Sequence, residues 1–274
     1  MIWQDILKIR TTSPLVHNIT NYVVMNTTAN ALLAIGASPV MAHAIEEVEE
    51  MTGLAQALVI NIGTLSSTWV EAMLNAGKEA RRRKIPIVLD PVGCGATQFR
   101  TQTAQKLINE IRPTVIRGNA SEIKSLIDSV QATKGVDSMH HPDEVFDDAR
   151  SLSLLADCVV SVSGPVDLIV KWDEVVRIEN GHPMMTKVTG IGCTSSAITA
   201  AFLAVNSSPI KAAAHAMAVM GIAGEFAARK SIGPGSFQVN FLDFLYCMHE
   251  TDILQNLKMQ GLPPDKPRDQ KVGI

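Results

Sequence analysis

Four cysteines in 274 residues, at positions 94, 158, 193 and 247, are too few and too scattered for a disulfide framework, and none forms a CxxC pair. No apolar run reaches the roughly 18 residues of a membrane-spanning helix. The opening MIWQDILKIR lacks the basic end, apolar stretch and small cleavage residues of a secretory signal. These absences predict a reduced, soluble, cytoplasmic protein with no membrane partner. Charge of one sign is missing too: 24 Lys and Arg against 27 Asp and Glu leave a net charge of −3, with no basic stripe for a phosphate polymer. Nucleic acid is therefore not an expected partner. There is no GxxxxGK[ST] segment, which disfavours a Walker-type ATPase. Internal repeats and a domain linker are also absent.

What is present is a large apolar fraction, 46% of the chain, in an alternating pattern. Short Val, Ile and Leu runs occur at 57–63 (ALVINIG), 85–91 (IPIVLDP), 113–119 (PTVIRGN) and 158–164 (CVVSVSG). Runs that are apolar on both faces and end in Gly, Asn or Asp read as buried parallel strands. Helical patterns at 66–83, 99–111 and 143–156 are long enough to be right-handed crossovers. The sum predicts an α/β fold in which helices cover both faces of a mostly parallel sheet. After residue 164, DLIVKWDEVVRIENG predicts a hairpin turning at Asp173 and Glu174, followed by Ala-rich helices at 193–206 and 209–229. Residues 1–260 read as a single domain, and the Pro-rich, charged GLPPDKPRDQKVGI from Gly261 reads as a disordered tail.

Ligands of parallel sheets bind beyond the strand C-termini. Four such ends carry polar residues: Asn61 with Gly63, Asp90 with PVGCGAT, Arg117 with GNASEI, and Ser163 with Gly164. Each alone is equally at home as a turn or a helix cap; four together point to a site. In VTGIGCTSSAITAAF, at 188–202, Gly190 and Gly192 followed by Cys193 and Thr194 lead straight into a helical pattern, so backbone N–H groups converge on a ready anion site. Asp90 and Glu122 suit magnesium, which takes one or two carboxylates with waters and phosphate oxygens. The competing reading makes Asn119 an N-cap and Glu122 its capping-box partner. The stretch at 14–44 offers His17, Asn18, Asn21 and Asn26 to orient a small polar ligand, with Met25 and Met41 suited to a flat, soft ring, although methionine is more often plain core.

These segments in their order and spacing, from PLVHNITNYVVMNTTANALLAIGASPVMAHA through IVLDPVGCGAT, VIRGNASEI, KGVDS and VSGPVDLIV to VTGIGCTSSA and GPGSF, resemble the hydroxyethylthiazole kinase family of ribokinase-like kinases. The resemblance covers most of residues 13–245. It implies a ribokinase-like three-layer α/β/α sandwich and ATP- and Mg2+-dependent phosphorylation of the hydroxyethyl group of a thiazole, a step toward thiamine. It also implies a homotrimer with thiazole sites at subunit boundaries. It places the thiazole at Asn21, Met41 and Gly190, ATP at Arg117 and Ser163 with an adenine wall from Ala216 to Gly221, and magnesium at Asp90 and Glu122. The loop from Gly190 through Gly192 to Cys193 becomes the anion hole, with Cys193 an auxiliary base whose thiol pKa the helix dipole lowers. The family usually has GTGC or GAGC there, so Ile191 is a departure expected to narrow the pocket or to disfavour an unusual backbone angle. KGVDSMHHP also departs from the family pattern and puts any role for His140 or His141 in doubt. Two rivals remain: a cysteine hydrolase with Cys193 as nucleophile and His17 or His215 as base, and a non-catalytic nucleotide- or thiazole-binding module on the same fold.

Overall fold

The computed structural model describes residues 1–132 and 144–261; His140, His141 and the expected tail beyond Gly261 lie outside the described residues. Nine strands form one sheet: β1 (Leu15–Ile19), β2 (Ser38–Val40), β3 (Ala57–Asn61), β4 (Ile87–Asp90), β5 (Val115–Asn119), β6 (Val159–Ser163), β7 (Asp167–Lys171), β8 (Glu174–Ile178) and β9 (Met259–Gln260). Their order is β2-β1-β3-β4-β5-β6-β7-β8-β9. The first six run parallel, and β7, β8 and β9 continue the sheet antiparallel. The hairpin is present as β7 and β8, with Lys171 opposite Glu174 and Trp172 at φ 54 in the turn.

The helices are α1 (Ile2–Thr12), α2 (Met25–Ile35), α3 (Val48–Leu54), α4 (Ser67–Arg83), α5 (Gln98–Ile111), α6 (Ala120–Ala132), α7 (Glu144–Ala156), α8 (Ile191–Val205), α9 (Pro209–Lys230), α10 (Pro234–Cys247) and α11 (Glu250–Asn256). Each strand feeds both faces of the sheet because successive side chains alternate. On β3, Ala57 and Val59 pack with α1, α2, α8, α9 and α10, while Leu58 and Ile60 pack with α4, α5, α6 and α7. This is the expected three-layer sandwich. Each fully buried aliphatic of these two cores contributes about 1.5–3 kcal/mol.

Local sequence sets the helix starts. Ser66 accepts from the Trp69 N–H to open α4, and Thr97 accepts from the Arg100 N–H to open α5. Lys84 and Arg112 close the same helices in the left-handed conformation, after which the chain enters β4 and β5. Since the sheet is parallel from β2 to β6, all those strands end on the same edge, and the site forms there.

Candidate active site

Strand register places the predicted residues side by side. Asn61 pairs with Asp90 across β3 and β4, and Asn119 pairs with Ser163 across β5 and β6. Helix α8 packs across β3 and β4 and aims its first turn at this edge. Gly190 is its N-cap at φ 85, a left-handed angle that favours glycine, and a Cβ there would lie 2.8 Å from Val24 Cγ1. Thr194 N–H donates to the Gly190 carbonyl, the first bond of the helix. The N–H groups of Ile191, Gly192 and Cys193 therefore have no intrahelical acceptor. Ile191 itself takes an ordinary helical angle and is buried, so the strained backbone expected of it falls on Gly190 instead.

A cavity of about 680 Å³ opens beside this turn. Arg117, Ser163, Gly190 and Gly192 line it, and Met185, Met217 and Met220 form an apolar end. Gly221 lines it as the resemblance implied, whereas Ala216 is fully buried in the helical core beneath. Arg117 is 7% exposed and its Nε has no hydrogen-bond partner. Its Nη1 lies 3.0 Å from where a Cβ on Gly192 would stand. A buried cation with an unsatisfied N–H, set against free helix N–H groups, is arranged for an anion.

Behind the turn runs a buried polar chain. Asn21 Nδ2 donates to Asn61 Oδ1 at 2.9 Å and to Cys193 Sγ at 3.5 Å. Asn61 Nδ2 donates to Asp90 Oδ2 at 2.8 Å, and Ser196 Oγ donates to the same oxygen at 2.7 Å. Burial, with a contribution from the Glu122 charge, pushes the Asp90 carboxyl up to about 6, against the pull of Arg117, Ser196 and Asn61. Burial also pushes the Cys193 thiol up to about 11, and the Asp90 charge adds to it. That overturns the expectation of a lowered thiol pKa: Cys193 sits in the first turn of α8, but it is desolvated and faces a carboxylate. Glu122 forms the capping box, accepting from Asn119 N–H at 2.8 Å while Asn119 Oδ1 accepts from Glu122 N–H at 2.9 Å. Its other oxygen accepts from Gly93 N–H at 2.9 Å, so the capping role is real and ties α6 to the loop after β4.

Met41 is half-buried just after β2, and neither it nor Asn21 lines the cavity. Asn26 and Asn30 lie on the exposed face of α2, bonded to each other. His17 is held by Thr52 and the Ala42 carbonyl, and His215 pairs with Asp5 at 2.7 Å. Neither imidazole is bonded to Cys193, so the nucleophile-and-base pairing of a cysteine hydrolase is not assembled. Three site residues had no role in the sequence reading. Ser196 lies three residues beyond Cys193 on the same helix, a spacing that signals a shared face. Asp167, which lines the cavity and accepts from Gly164 N–H at 3.0 Å, follows the Ser-Gly-Pro turn. Asn180 had no local signal; it joins the cavity rim to the chain near residue 256 through its bond to the Asn256 carbonyl.

Strand ends, a helix N-terminus and a buried arginine meet around one cavity, an arrangement suited to a phosphate-handling enzyme on a ribokinase-like α/β fold. The fold agrees: a ribokinase-like superfamily protein from Enterococcus faecalis V583 superposes with a TM-score of 0.60 at 15% identity, over 84% of this chain and 86% of that one. The chain belongs to the hydroxyethylthiazole kinase family, whose model matches residues 6–251. It is similar to the hydroxyethylthiazole kinase of Syntrophus aciditrophicus (strain SB), 58% identical over 94% of this chain and 96% of the relative. It is similar also to that of Oleidesulfovibrio alaskensis, 54% identical over 92% and 95%. The structure of the hydroxyethylthiazole kinase protein from Pyrococcus horikoshii OT3 superposes with a TM-score of 0.89 at 42% identity, covering 96% and 99% of the two chains. The activity is thus phosphorylation of the thiazole alcohol in thiamine biosynthesis. Among the described residues no helix is long and apolar enough to cross a membrane.

Proposed function

We propose that ATP occupies the 680 Å³ cavity with its phosphates at Arg117, Ser163 and the turn from Gly190 to Gly192, and that hydroxyethylthiazole approaches from the side of Asn21 and Met41. The observation that carries this reading is the buried Arg117 guanidinium with an unpartnered Nε beside the α8 N-terminus. The substrate oxygen forms the new P–O bond as the bond to ADP breaks, and the hydroxyl proton is released. Phosphoryl transfer asks the protein mainly to position and to neutralise charge. Arg117 and the α8 N–H groups accept the charge of the moving group, while Asn21, held by Asn61, orients the alcohol next to Cys193. A thiol pushed up to about 11 is neutral at physiological pH, so Cys193 acts there as a hydrogen-bonding group and only a weak base.

Asp90 and Glu122 fit magnesium. A buried carboxylate held at about 6 by desolvation and a neighbouring acid gains from a cation, and each Glu122 oxygen spends one bond on a backbone N–H and keeps a free lone pair. When bound, the ion would neutralise the terminal phosphates. We further assign a cytoplasmic location, consistent with four free cysteines, and a homotrimer. A subunit boundary here is supported by Tyr22 and Val23, 62% and 67% exposed, directly after Asn21: a substrate contact bordered by exposed apolar surface fits a site completed by a neighbouring copy.

A coupled assay for ADP release over hydroxyethylthiazoles and pyrimidine alcohols tests the assignment. Turnover is expected with the thiazole alcohol and to depend on magnesium. Nucleotide binding without ADP release from any of these alcohols would favour the non-catalytic module.

A further inference from the structure

Arg100 lies on α5, outside the cavity, and grips the two loops that leave β3 and β4. Its Nη1 donates to the carbonyls of Ile62 at 2.7 Å and Val92 at 2.8 Å, and its Nη2 donates to that of Gly63 at 2.9 Å. Both loops carry parts of the site. Gly63 N–H donates to Asn61 Oδ1, and Gly63 is so close to Asn21 that a Cβ would stand 2.6 Å from Asn21 Nδ2. Gly93 N–H donates to Glu122 Oε1 at 2.9 Å, and Gly93, at φ 73, lies beside the Arg100 side chain, where a Cβ would stand 3.2 Å from Arg100 Cδ. One guanidinium therefore fixes the spacing between the loop that backs Asn21 and the loop that backs Glu122. Only a planar fork reaches carbonyls of two loops in this way; a lysine supplies one point of attachment.

We propose that Arg100 is a positioning residue that presents the thiazole contact and the metal carboxylate in register with each other, an inference that rests on the roles read above for Asn21 and Glu122. It touches neither substrate. The loss of Arg100 releases Gly63 from its place behind Asn21 and lets the 91–95 loop carry Gly93 away from Glu122. A purely structural arginine lowers stability and leaves the ligand affinities of the folded protein alone; a positioning arginine changes those affinities.

The test is R100A, with R100K as the second variant should R100A not fold, each studied well below its unfolding midpoint. Thiazole affinity is read by calorimetry, and Mn2+ affinity of the ADP complex by electron paramagnetic resonance, which needs no turnover. Supporting partners of this kind are worth about 10- to 100-fold, and losses of that size are expected for both Mn2+ and thiazole, with metal-free ADP affinity unchanged. Added guanidinium is expected to restore much of the loss in R100A and none in R100K. Parent-like Mn2+ and thiazole affinities in a folded variant overturn the proposal, whatever happens to Tm. E122Q separates the two levels. If it leaves Mn2+ affinity untouched, Glu122 is no metal ligand, and Arg100 is then judged on thiazole affinity alone, where no change in R100A overturns its role.

Discussion

Protonation governs two titratable side chains of the site, the half-buried Cys193 and the fully buried Asp90. With its thiol pushed up to about 11, Cys193 holds almost no thiolate at neutral pH. C193A is therefore expected to lose about tenfold or less in kcat, short of the ~10²–10⁴ of a fully positioned general base, with ATP affinity retained. C193D supplies a carboxylate that can take the hydroxyl proton and is expected to match or exceed C193A; complete loss in both folded variants would sink this account. Asp90 gives a pH prediction. Its folded pKa of about 6 lies above the ordinary aspartate value of 3.8, so the native state binds the proton more tightly. Stability from this group is present below the lower value and lost as pH rises through the upper one. Above pH 6 the buried charge costs about 3 kcal/mol at ~1.4 kcal/mol per unit. The stability of D90N relative to the parent should accordingly rise by about 2–3 kcal/mol between pH 4 and pH 8 in urea titrations, while its kinase activity falls. The residue types of this network, Asn21, Asn61 and Asp90, were visible in the sequence because they close strands or sit in a polar cluster. Their mutual bonds were not, since the contacts join residues 29 to 172 positions apart. The thiol shift was misjudged for the same reason: helix position is local, whereas desolvation and the Asp90 charge come from the tertiary fold.

Elements with strong apolar periods were legible almost to the residue. The run at 57–63 became β3, and the helical pattern at 66–83 became α4. Strands β1 and β2 went unread because LVHNI carries His17 and Asn18 inside a buried strand. His17 is fully buried and its ring is satisfied by Thr52 and Ala42, contacts that arise from α3 and the loop after β2. Helix packing makes its own prediction. Gly77, in the middle of α4, faces Ile111 of α5 so closely that a Cβ would stand 2.5 Å from Ile111 Cγ2. An alanine normally favours a helix over glycine by about 0.5–1 kcal/mol, but overpacking costs about 1–3 kcal/mol. G77A is expected to lower stability by about 1–2 kcal/mol, and I111A to relieve part of the overpacking in the double variant, as a thermodynamic cycle would measure. Steady-state constants should not move in either.

For the whole molecule, the nine-stranded sheet is asymmetric: six parallel strands end on the site edge, and three antiparallel strands extend it to one side. The exposed Tyr22 and Val23 lie at the end of this edge, after β1. Sedimentation of the parent is expected to give a trimer. V23D should shift it toward monomer and raise the thiazole KM more than the ATP KM; a parent that sediments as a monomer with full activity would rule out shared sites. The far end of the cavity follows a different logic. On α9, a methyl at Gly221 would meet the Asn180 backbone oxygen at 2.6 Å, whereas one at Gly224 would meet the Met185 sulfur at 2.4 Å. Main chain cannot yield, but a methionine tip can swing aside. Lineages drifting at residue 224 could reshape the pocket roof by small steps, while residue 221 is closed to them. Neither position belongs to the α8 turn, so an alanine at residue 224 would alter this end of the cavity through Met185 alone and leave the turn from Gly190 to Gly192 as it is.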